Sequence, residues 1–246
     1  MDTPEAGVRL NKFISDTGFC SRREADRLIA AGAVRVDGAI AAMGMRVTDE
    51  AHVTVNGRPL RARPRTVYLA YHKPVGITST TDRSVRGNMV DAVNYRARIF
   101  PVGRLDKDSE GLILLTNDGD IVNKILRAGN AHEKEYEVWV DRPFTDDFLH
   151  AMSRGVPILG TVTKPCKTWR LGARSFGIIL TQGMNRQIRR MTEHLGWTVT
   201  RLRRIRIMHL RLGALRPGQW RELRGAEREI LNRLVAASAK TEEASQ

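Results

Sequence analysis

Cysteine is scarce in this chain of 246 residues, which has two, Cys20 and Cys166, in unrelated surroundings and without Cys-x-x-Cys spacing. That argues against a disulfide framework or a thiolate metal knot and predicts two buried thiols. The six histidines, His52, His72, His132, His150, His194 and His209, include no His-x-x-x-His pair, so a zinc site has no local ligand set. No run of 18 or more apolar residues occurs, and the opening Met1, Asp2, Thr3, Pro4, Glu5 has neither the basic nor the apolar part of a signal peptide. A cytoplasmic protein is expected. There is also no Gly-x-Gly-x-x-Gly or P-loop to cradle a nucleotide cofactor. Acidic residues are short too: 27 against 41 basic ones leave a net charge of +14. Such a surplus favours a polyanionic partner, with nucleic acid ahead of an anionic membrane.

What is present divides into modules. Residues 8–57 read as a small αβ unit. Ser21-Arg22-Arg23-Glu24 is a capping-box pattern opening a helix with Ala25, Leu28 and Ile29 on its apolar face, closed at Gly32. A helix around 10–14 packs on it. Val34-Arg35-Val36-Asp37-Gly38 and Val53-Thr54-Val55-Asn56-Gly57 are alternating strands that end in tight-turn dipeptides. Residues 58–65 hold four arginines and two prolines, the composition of a linker. From 66 to 236, strands are predicted at 67–71, 77–81, 111–116, 135–140, 156–163, 168–171, 176–181 and 197–207. Helices are predicted at 121–127, 145–152, 186–195 and 227–236. Strands outnumber helices without strict alternation, so the expected class is α+β with a mixed, mainly antiparallel sheet. The polar residues 237–246 read as a disordered tail.

The chemistry concentrates in Gly103-Arg104-Leu105-Asp106-Lys107-Asp108-Ser109-Glu110-Gly111-Leu112, a carboxylate beside an arginine and ahead of an apolar strand. An aspartate in such a turn is ordinarily only a turn residue. This string, however, resembles the catalytic motif of the RsuA-type pseudouridine synthases, and the likeness runs from about Val8 to about Leu234. Residues 120–130 and 155–164 look like the branch of that family acting on large-subunit ribosomal RNA, and residues 8–57 resemble an S4 RNA-binding domain.

The resemblance implies a cofactor-free, metal-free isomerisation in which a flipped-out uridine is attacked by Asp106. Arg189, in the Gln-Ile-Arg of residues 187–189, matches the arginine that pairs with this carboxylate, lowering its pKa and fixing its rotamer. Tyr136 of Lys134-Glu135-Tyr136 matches the tyrosine that stacks on the target base, and Arg104 the residue that fills the space the base vacates. Lys73 with Pro74 and Gly76 matches a motif of more structural character; Lys73, Arg186 and Gln187 are also candidate substrate contacts. In the S4-like module Lys12, Arg22, Arg23 and Arg35 are candidate phosphate contacts. The implied partner is large-subunit ribosomal RNA, with tRNA or a ribosome assembly intermediate as further substrates, and the protein is expected to act as a monomer.

Asp106, Asp108 and Glu110 also imitate the start of a calcium-binding EF-hand loop, but the twelfth position is Asn117 where a bidentate Glu is needed. Between 186 and 211 stand eight arginines against the single acid Glu193. If Arg201, Arg203 and Arg204 lie on a strand they form a stripe able to follow a phosphate backbone, unless acids from elsewhere pair with them. Two rival readings remain: a non-catalytic RNA-binding assembly factor, and an S4-containing RNA methyltransferase, which would need a cofactor loop.

Overall fold

A computed structural model describes residues 7–126 and 131–236. The disordered tail expected at 237–246 and the last residue of the helix expected at 121–127 lie outside the described residues. The chain divides into two compact units, one reaching to Thr66 and including Arg96–Arg98, the other formed by Val67–Tyr95 and the chain from Ile99 on.

In the smaller unit, strand β1 (Val8–Arg9) leads into α1 (Leu10–Asp16) and α2 (Arg22–Ala30). The Ser21 hydroxyl caps α2 by accepting from the Glu24 amide at 3.1 Å, satisfying a donor that the first helical turn leaves free. The Glu24 carboxylate does not complete the box; it pairs with Arg27 at 2.9 Å. Strands β2 (Val34–Val36), β3 (Ala39–Ile40), β4 (Arg46–Val47), β5 (Val53–Val55) and β6 (Arg58–Pro59) follow, with β3-β2-β5-β6 forming one sheet and β1 pairing with β4. Asp37-Gly38 and Asn56-Gly57 all have positive φ, which a two-residue hairpin needs to match strand twist. Arg58–Pro59 therefore forms an edge strand, correcting part of the linker expected at 58–65. Leu10, Ile14, Ala25, Ile29, Val34, Val53 and Val55 make the buried core of this unit.

The larger unit is built on a nine-stranded sheet. Its elements are β7 (Tyr68–Lys73), α3 (Met89–Val93), β8 (Phe100–Val102), β9 (Glu110–Thr116), α4 (Gly119–Leu126), β10 (Lys134–Val140), α5 (Asp146–Arg154), β11 (Pro157–Ile158), β12 (Thr161–Val162), β13 (Lys167–Gly172), β14 (Ser175–Leu180), α6 (Gln187–His194), β15 (Val199–Ile207), β16 (Leu210–Arg211), β17 (Trp220–Glu222) and α7 (Gly225–Ala236). The order across the sheet is β13-β14-β10-β15-β9-β7-β17. Alternation explains the layers. Leu69, Tyr71, Ile113 and Leu115 face a core shared with α3, α5 and α6. Tyr68, Ala70, Leu112 and Leu114 face a second core closed by Ile121 and Ile125 of α4 and Leu231 and Val235 of α7. Each fully buried Leu or Ile contributes about 1.5–3 kcal/mol. The class is α+β with a mixed, mainly antiparallel sheet.

Two expected strands differ. Residues 77–81 form no strand beyond a single bridge between Thr78 and Asn88; the Thr78 amide donates to the Gly87 carbonyl and the Thr80 amide to the Thr78 carbonyl, so these donors are spent within a loop. Residues 156–163 fold back as the β11–β12 hairpin, with Leu159 and Gly160 both at positive φ in its turn. Among the described residues β9 and β15 form the one parallel pair of this sheet, and it is two residues long: Arg203 opposite Glu110 and Arg204 opposite Gly111. Gly111 has φ +116, and a Cβ there would overlap the Arg204 backbone, so this crossing needs glycine. Beyond the pair β8 takes over as the neighbour of β9, pairing at Phe100–Val102.

Candidate active site

The loop from Gly103 to Ser109 is held from several sides. Ser79 Oγ donates to the Leu105 carbonyl at 2.7 Å and accepts from the Leu105 amide at 3.1 Å. The Gly76 amide donates to the Lys107 carbonyl at 2.7 Å, and Ser109 closes the turn onto the Asp106 carbonyl at 3.1 Å. Ser79 carries no sequence signal that marks it for this role. Asp106, with its side chain 30% exposed, opens into a cavity of about 370 Å³. Arg104, Lys134, Tyr136, Arg186 and Arg204 line the same cavity. A carboxylate, an aromatic ring and several cations thus converge on one concave space, as a base-binding site requires.

Arg189 is placed differently from the expectation. Its Nε lies 3.4 Å from Asp108 Oδ2, and Nη2 donates to the Asp108 carbonyl at 3.0 Å and to Ser109 Oγ at 3.2 Å. Nη1 donates to the Val199 carbonyl at 3.3 Å. With the residue 6% exposed, these bonds commit the guanidinium to the backbone that follows Asp106 and leave no Asp106–Arg189 ion pair. The cation nearest Asp106 is Arg186, whose Nη1 is 3.9 Å from Asp106 Oδ2 while the fork bonds both Asp108 oxygens at 3.2 Å. Burial raises the Asp108 carboxyl, but the Arg186 hydrogen bond and the charges of Arg189 and Arg186 outweigh it and hold the group below its ordinary pKa. The same hydrogen bond raises Arg186. Arg186 has φ +51 at the N-cap of α6, a conformation that L residues rarely take.

Three other candidates carry interactions within the protein. Lys73 is fully buried and donates to the Pro74 carbonyl at 2.8 Å; it does not line the cavity. Burial lowers its pKa to about 8 against the opposing pull of Asp106 and Asp108. Gln187, largely buried, lines the cavity while its Oε1 accepts from the Met184 amide at 3.1 Å, shaping the loop before α6. The arginine stripe of β15 is largely spent on acids. Arg201 reaches Glu110 at 2.6 Å, Arg203 Nε reaches Glu137 at 2.9 Å, and Arg206 reaches Glu135 at 2.6 Å and Glu133 at 2.9 Å.

In the smaller unit Lys12 is tied to Asp16 at 2.7 Å and Arg35 donates to the Gly38 carbonyl at 2.9 Å. Arg22 and Arg23 stand exposed on the first turn of α2. Both thiols are half-buried and free; burial pushes Cys166 up to about 11. No helix among the described residues is long and apolar enough to cross a membrane.

Comparison with known proteins adds to this geometry. The family model described as RNA pseudouridylate synthase matches residues 67–194, and the S4 domain model matches residues 8–51. The dual-specificity RNA pseudouridine synthase RluF of Salmonella typhi is 54% identical over 237 residues, covering 96% of this chain and 82% of that protein. The ribosomal large subunit pseudouridine synthase B of Bacillus subtilis (strain 168) is 36% identical over 236 residues, covering 92% of this chain and 96% of its own. A crystal structure of a pseudouridylate synthase superposes with a TM-score of 0.68 at 28% identity, covering 92% of this chain and 100% of that one.

Proposed function

The chain belongs to the RNA pseudouridylate synthase family and is a pseudouridine synthase, and from that premise we propose that it isomerises a specific uridine of large-subunit ribosomal RNA, in the cytoplasm and as a monomer. The observation that carries the reading is the single cavity in which Asp106, Tyr136 and Arg104 converge. A uridine stacked in a helix is out of reach of that cavity, so the base leaves the stack first. Arg104, exposed at the cavity rim, occupies the space it vacates, and Tyr136 gives the extruded ring a stacking face. The Asp106 carboxylate then attacks.

Holding the carboxylate is as important as having it. Ser79 fixes Leu105, and Asp108 anchors Arg186 and Arg189, so Asp106 sits between two pinned neighbours. Arg189 is on this account a positioning residue: it organises the loop and does not meet the substrate. Arg22 and Arg23 of the S4 domain contact phosphate, which places the RNA without reading its sequence. The dual specificity printed for the Salmonella relative makes tRNA a second substrate to test.

The test is nucleotide-resolved pseudouridine mapping on large-subunit ribosomal RNA, precursor particles and tRNA treated with the protein, beside an Asp106→Asn control. A new site that vanishes in the control is expected. No site on any of these RNAs would leave the protein as a binding factor and overturn the reading.

A further inference from the structure

Positive charge on the cavity wall is not balanced as it is on the rest of β15 and beside Asp108. Arg201, Arg203 and Arg206 of β15 each meet a glutamate, and Arg186 and Arg189 meet Asp108. Arg204, on the same strand and lining the cavity, meets none. It is 3% exposed, its Nε donates to the Leu112 carbonyl at 2.7 Å, and its buried Nη2 has no partner among the described residues. Lys134 lines the cavity from β10, two residues before Tyr136 and therefore on the same strand face. It is 8% exposed, and its Nζ donates to the His132 carbonyl at 3.3 Å. Among the described residues neither cation has a carboxylate within ion-pair distance. Two unneutralised cations in one wall carry a large desolvation cost, which a ligand's negative charge offsets when it arrives.

We propose that Lys134, backed by Arg204, forms an anion-binding subsite that takes a carbonyl oxygen of the detached uracil. This rests on the pseudouridine-forming reading of the cavity. Breaking C1′–N1 leaves the bond's electron pair on the ring and an electron-poor C1′, which the Asp106 carboxylate takes. The uracil anion spreads its charge over O2 and O4 until C5 attacks C1′ with that pair and the carboxylate leaves. C5 then sheds a proton and N1 gains one, so nothing is gained or lost overall. An ammonium fixed in a dry wall stabilises the anion more than the neutral uridine, which is where catalysis needs it. The Arg204 guanidinium, over the Tyr136 ring at 6.0 Å from its centre, acts through the field. Burial and then the Arg204 charge lower the Lys134 pKa to about 8.

The experiment measures pseudouridine formation and RNA affinity for wild type, Lys134→Met and Lys134→Arg across pH 6.5–9.5. Removing one such donor lowers kcat about 100-fold, with the RNA Kd within about twofold, and an apolar replacement of a buried cation leaves folding intact. The wild-type kcat/KM falls as pH rises through about 8; Lys134→Arg, always protonated, loses that limb and keeps a rate within about tenfold of wild type. A purely structural lysine would not move the limb. If Lys134→Met instead weakens RNA binding, lowers its salt slope by about one and spares kcat, the anion is an RNA phosphate and the uracil assignment is overturned. An active wild type with an unaffected Lys134→Met overturns the subsite alone, whereas a wild type that forms no pseudouridine overturns the functional reading beneath it.

Discussion

The two units use arginine in opposite ways. In the smaller, Arg22 and Arg23 stand exposed at the start of α2, where a phosphate would meet both the guanidinium groups and the positive end of the helix. In the larger, Arg201, Arg203 and Arg206 stand on one strand and are matched by Glu110, Glu137, Glu133 and Glu135. A net charge of +14 therefore predicts a polyanionic partner but not which side chains meet it. On the proposed reading the exposed pair serves binding and the pair anchored on Asp108 positions the reaction, while the matched set holds the sheet.

The comparison is tested most severely at Asp108. Asp108→Asn removes the charge that Arg186 and Arg189 share; turnover is expected to fall about 100-fold at nearly constant RNA affinity, with about 2 kcal/mol lost from the denaturant-unfolding free energy. An unchanged rate would show that the two arginines do not organise the Asp106 loop. Next in size, Arg206→Met leaves Glu133 and Glu135 facing each other and lowers stability by about 2 kcal/mol, without altering the salt dependence of RNA binding. If that dependence changes, β15 faces RNA after all. Arg22→Ala with Arg23→Ala should leave stability within about 0.5 kcal/mol, weaken RNA binding roughly tenfold and reduce the salt slope by about two; an unaltered slope would remove these arginines from the interface. The last is a pH slope. Between pH 8 and 10.5 the unfolded chain still holds a proton at Lys134 that the folded chain has released. Wild-type stability therefore rises with pH across that window relative to Lys134→Met, as paired urea titrations would show.

Local signals were legible in the sequence and long-range ones were not. The capping serine, the Asp-Gly and Asn-Gly turns and the buried run of β9 each follow from chemistry within a few residues, and each stands where expected. The family motif located Asp106, Tyr136 and Arg104, which share one cavity. The partner of Arg189 was not legible, because Asp106 and Asp108 are equivalent candidates by residue type, and only the path of the loop decides which side chain turns toward α6. The backbone partners of Gln187 and Lys73, the Met184 amide and the Pro74 carbonyl, were not legible for a similar cause: residue type does not say which backbone groups beside a polar side chain lack a partner. The glutamates that neutralise β15 come from β9, β10 and the segment before β10, so the stripe looked free when β15 was read alone.

The crossing at Gly111 has a consequence for folding. On one side of it stand β7, β8, β9 and β17, on the other β10, β13, β14, β15 and β16. The hydrogen bond from Arg204 to Leu112 beside it joins residues 92 apart in sequence. Closing so long a loop costs entropy that only the finished ladder offsets. The halves of the sheet can thus condense before they meet, and the cavity exists only after they do. A refolding chain should regain its circular dichroism well before its turnover, and heating should abolish turnover while most strands persist.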